Sequence, residues 1–103
     1  MLTDRDNIFN PNIPFDDEDL KKYETFLIHL SKKYGLGEVS FKPKNKRDWD
    51  SMATFNIATP NDWSFKQVRR ISHMIVDDSL EFSRNEGLMY IFNNSATVLT
   101  QER

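Results

Sequence analysis

The stretch GLMYIFNNSATVLT, residues 87–100, carries the decision between the folds open to this chain. Its first half, LMYIF at 88–92, is apolar on both faces, and a short run of that kind reads as a strand buried from both sides. Its second half, ATVLT at 96–100, is rich in β-branched residues, and the NNS between them supplies turn chemistry. The stretch therefore predicts a closing hairpin with strands over 88–92 and 96–100. Gly87 suits the left-handed residue that follows a helix.

Working outward, that helix is announced by SFKQ at 64–67, a Ser-x-x-Gln capping box, and spans 64–86. Val68, Ile71, Ile75 and Phe82 centre its apolar stripe, and Phe65, Val76 and Leu80 widen one flank. An earlier helix is predicted over 17–34. It has Asp16 or Asp17 as N-cap, acids in its first turn, Lys32 and Lys33 in its last, and Leu20, Tyr23, Leu27, Leu30 and Tyr34 along one face. Gly35 and Leu36 close it. Between the helices, EVSFK at 38–42 and the alternating residues of 52–58 read as a hairpin whose long polar tip is FKPKNKRDWD, residues 41–50. Residues 1–15 hold two prolines, three asparagines and two acids, which predicts an irregular acidic N-terminal arm that adds at most an edge strand at 7–10.

The expected architecture is a single α+β domain over 1–103, a two-layer sandwich in the order α-β-β-α-β-β. Both helices lie on one face of an antiparallel sheet of four strands, or of five in a ferredoxin-like arrangement with an extra strand.

Composition narrows the function classes. The 103 residues are 38% hydrophobic and 29% charged, as in folded globular domains. The absence of cysteine excludes disulfides, thiolate metal sites, iron-sulfur clusters and a cysteine nucleophile. No apolar run approaches the roughly 20 residues that span a bilayer, and MLTDRDNIFNPN lacks the basic end and apolar stretch of a signal peptide. The expectation is a cytoplasmic protein without a membrane partner. Net charge is -2 but unevenly placed: residues 1–19 hold six acids against Arg5 alone, whereas the middle of the chain is basic.

That basic middle raises a nucleic-acid reading. Lys42, Lys44, Lys46 and Arg47 on the hairpin tip, with Lys66, Arg69 and Arg70 at the start of the second helix, would grip phosphates while Trp49 stacks on bases. A solvated, lysine-rich tip that discourages edge pairing explains the same residues more simply in an acidic domain without an RNA-binding motif.

Candidate chemistry is sparse. His73 and Asp77 share a helix face, but an i,i+4 pair is two ligands at most, and His29 belongs to the outer face of the other helix. The acids of FDDEDL fit a helix N-terminus better than a calcium loop, and the glycines at 35, 37 and 87 are assigned to helix ends. No serine has the setting of a hydrolase nucleophile. Neither metal, cofactor nor catalytic residue is expected.

Surplus apolar surface is the remaining signal. A helix of about 23 residues is roughly 34 Å long, while strands of five or six residues span about 17 to 20 Å. Either the first helix covers the Phe65, Val76 and Leu80 flank, or a second copy of the chain or a different protein does. Trp49 and Trp63, set in polar turns, resemble interface anchors. The sequence thus favours a protein-binding module of accessory, regulatory or inhibitory kind, with nucleic-acid association as the alternative.

Overall fold

The computed structural model describes residues 14–45, 47 and 52–101. Helix α1, Asp17–Lys33, is followed by strands β1, Val39–Lys42, and β2, Ala53–Thr59. Helix α2, Phe65–Glu86, a short helix α3, Met89–Asn93, and strand β3, Ser95–Gln101, complete the chain. The expected irregular arm falls outside the described residues except for Pro14 and Phe15, as does the proposed strand at 7–10.

Local signals set the two long helices. Asp16 caps α1, its carboxylate accepting from the amides of Glu18 and Asp19 at 2.9 and 3.3 Å. Beyond Tyr34 the chain turns through Gly35 at φ 71°, and the Leu36 amide returns to the Ser31 carbonyl at 2.7 Å. Ser64 caps α2 by accepting from the Gln67 amide at 3.2 Å. Gly87, at φ 69°, ends it, with the Leu88 amide on the Ser83 carbonyl at 2.8 Å. Gly37 has a different role from the one expected of it. Its amide donates to the Ala58 carbonyl at 2.8 Å, and a Cβ there would stand 3.2 Å from the Ala58 Cβ, so it marks a close approach of β1 to β2.

The expected closing hairpin is not formed, and the four- or five-stranded antiparallel sheet with it. Residues 89–93 are helical, and the described residues contain a three-stranded sheet in the order β1-β2-β3. β1 pairs antiparallel with β2, Phe41 opposite Phe55, whereas β3 pairs parallel with β2, Thr97 opposite Phe55. The element order is thus α-β-β-α-α-β, still an α+β fold. Two physical reasons account for the difference. Leu88 and Ile91, three apart, are both buried and lie on one side of a helical turn, so an apolar run with no clear period satisfies a helix as well as a strand. A parallel neighbour also needs a crossover of a dozen or more residues, which α2 supplies by running back along the sheet.

The core joins both long helices to one face of the sheet: Tyr23, Leu27 and Leu30 of α1, Ile75 of α2, Phe55 and Ile57 of β2, with Leu88 and Ile91. Val39, Phe41 and Leu99 pack on the same cluster. The opposite face, with Ser40, Lys42, Thr54, Asn56, Ala96, Val98 and Thr100, is half-exposed or exposed. No helix among the described residues is long and apolar enough to cross a membrane.

Candidate interaction surface

Both helices lie on the same face of the sheet, each over its own part of it. α1 lies over β1 and β2, its Tyr23 ring 5.0 Å from Phe55. Along one flank of α2, Phe26 stacks on Phe82 with centroids 4.0 Å apart, the Tyr34 hydroxyl donates to the Asp78 carboxylate, and Lys22 reaches Glu86 at 3.4 Å, while Tyr23 reaches Ser79. On the α2 wheel, Asp78 and Phe82 fall to one side of Ile75, and Phe65, Val76 and Leu80 to the other. The first helix thus leaves Phe65 and Val76 of the widened flank exposed.

That flank runs beside β3. Val76 and Ser79 border a cleft of about 220 Å³ with Tyr23, Phe92, Ser95, Ala96 and Thr97, at the start of the strand. At its end, the Gln101 side-chain amide donates to the Trp63 carbonyl at 2.8 Å. α2 thus lies antiparallel along β3, its N-terminal turn beside Gln101. Phe65 is 82% exposed and Val76 42%, whereas Leu80 and Trp63 are half-buried. On the strand itself Val98 is 43% exposed. The other edge of β3 makes no backbone hydrogen bond with any described segment. Sequence reasoning reached the helix half of this surface and missed the strand half, because a β3 at the end of a hairpin would have had a different neighbour.

The two edges of the sheet differ. β1 has four residues and runs into Lys42, Pro43 and Lys44, features that blunt an edge. β3 has seven, SATVLTQ, without charge, proline or glycine. Such an edge is a ready template for another strand.

The remaining candidate residues do not converge. Lys42 pairs with Thr54, near the start of β2, while Lys66, Arg69 and Arg70 open α2 beyond Thr59, the end of β2. The basic tip and the basic helix start therefore lie at opposite ends of a strand of about 20 Å. Lys44 and Arg47 belong to the tip side; Lys46 and Trp49 lie outside the described residues. His73 and Asp77 are both exposed on α2, and His29 is exposed beside Phe26. Among the described residues no group of three or more His, Asp or Glu is placed to hold a metal.

A second concavity, about 510 Å³ and wide open, lies between the helices over Lys21, Thr25, Phe26, His29 and Phe82. It brings no convergent set of polar groups onto one point, as ligand sites do. The 220 Å³ cleft falls below the roughly 300 to 1,000 Å³ of most ligand pockets. No protein-family model matches the chain, and neither a curated protein nor a solved structure is similar to it.

Proposed function

We propose that the protein is a small protein-binding module that works through the surface made by the outward flank of α2 and the edge of β3 that no described segment pairs with. One observation carries the reading: α1 packs on the opposite flank of α2, leaving Phe65 and Val76 exposed alongside an uncharged strand edge. Backbone pairing supplies affinity to such an edge, and adjoining apolar side chains supply selectivity. An accessory, regulatory or inhibitory role fits a chain whose distinctive feature is a surface. The cysteine-free composition suits a reducing, cytoplasmic setting.

Site-specific photo-cross-linking in the source cells tests the reading. A photoreactive residue in place of Phe65 or Val76 is expected to yield discrete protein adducts, and one in place of Thr25, between the helices, none of these. Adducts confined to nucleic acid, or the same adducts from all three positions, would overturn it.

A further inference from the structure

We infer that the occupant of the β3 edge is a second copy of this chain, joined about a two-fold axis at Val98 so that two three-stranded sheets become one of six. The inference rests on the interaction surface proposed above and names its partner. Three observations lead to it.

The first is self-complementarity. An antiparallel pair of β3 strands centred on Val98 sets Ala96 against Thr100, Thr97 against Leu99 and Val98 against Val98. Every residue keeps its face of the sheet, because pairing about a residue preserves the two-residue alternation. The core-facing side thus continues from one subunit to the next through Thr97 and Leu99, and the open side gathers Ala96, Val98 and Thr100. With no charge in SATVLTQ, the two-fold places no like charges opposite each other.

The second is the helix above the strand. Antiparallel neighbours in one sheet are related by an axis perpendicular to it, so both α2 helices stand on the same side of the six-stranded sheet. α2 packs on β3, so the two-fold brings the two copies of α2 side by side across the seam. The residues at the seam are Ser72, Val76 and Leu80, small and apolar side chains suited to close contact.

The third is the contrast with β1. Lys42, Pro43 and Lys44 blunt the far edge, so pairing through β3 closes at two copies and does not continue into a filament.

Sedimentation equilibrium of the full chain, with charges placed at the axis, tests this. Val98 is 43% exposed on the open face, so Val98→Lys and Val98→Glu are compatible with folding, which circular dichroism verifies. The unaltered chain is expected to dimerise. Each variant alone is expected to dimerise at least about tenfold more weakly, because like charges meet at the two-fold. An equal mixture of the two is expected to recover the association as a heterodimer. A chain that stays monomeric to about 1 mM would overturn the second copy as occupant, while protein adducts from positions 65 and 76 would still support the binding surface. Dimerisation unaffected by either variant, or not recovered on mixing, would overturn the pairing at Val98.

Discussion

The Tyr90 hydroxyl accepts from the Asp16 amide at 3.2 Å and donates to the Asp19 carboxylate at 2.8 Å, so α3 is tied to the first turn of α1. Phe15 meets the same ring edge-on at 5.8 Å. Burial, together with the Asp19 carboxylate, pushes the Tyr90 phenol up to about 12. The Asp78 carboxylate beside Tyr34, and burial of Tyr23, raise those phenols too. A phenol that releases its proton near 10 when unfolded, but only near 12 when folded, adds stability that is complete below pH 10 and lost as pH rises to 12. Urea titrations between pH 9 and 12 are expected to show that loss, and Tyr90→Phe to flatten it. The tie itself, across 71 residues, has no local signature, which is why the sequence gives no hint of it. Gly87 is the opposite case, legible from its place after a helical period. With open space around it and φ at 69°, Gly87→Ala is expected to cost about 1 to 2 kcal/mol of backbone strain in urea unfolding.

At the scale of elements, α1, α2, β1, β2 and β3 were legible to within a residue or two, since each carries a cap, a period or an alternation of its own. What was not legible is α3 and everything that depends on it. Five apolar residues without a clear period fit a strand and a helical turn alike, and the choice rests on burying Leu88 with Ile91 while Tyr90 reaches α1. Once 89–93 is helical there is no neighbouring strand for β3 to turn back on, and the crossover through α2 delivers it parallel to β2. Backbone chemical shifts are expected to be helical over 89–93 and extended over 95–101, with inter-strand contacts in the register Phe55 to Thr97 and Ile57 to Leu99. Extended shifts over 88–92 would restore the hairpin. Ile91→Ala, which empties a fully buried site, is expected to destabilise the fold by about 2 to 5 kcal/mol.

For the molecule as a whole, the sequence exposed half of the candidate surface. The excess width of the α2 stripe marked Phe65, Val76 and Leu80, whereas the edge beside them exists because β3 ends the sheet of the described residues, a property of topology that no run of residues spells out. The same topology separates the basic tip from Lys66, Arg69 and Arg70, which sequence proximity to Trp49 and to each other could not reveal. The most direct test is amide hydrogen exchange along Ser95–Gln101 at low and high protein concentration. In dilute solution, the amides directed at β2 should be protected and those on the other edge should exchange freely. At high concentration the free set should become protected as well. Uniform protection along the strand in dilute, monomeric protein would mean that the edge is covered from within the chain, and would contradict this account.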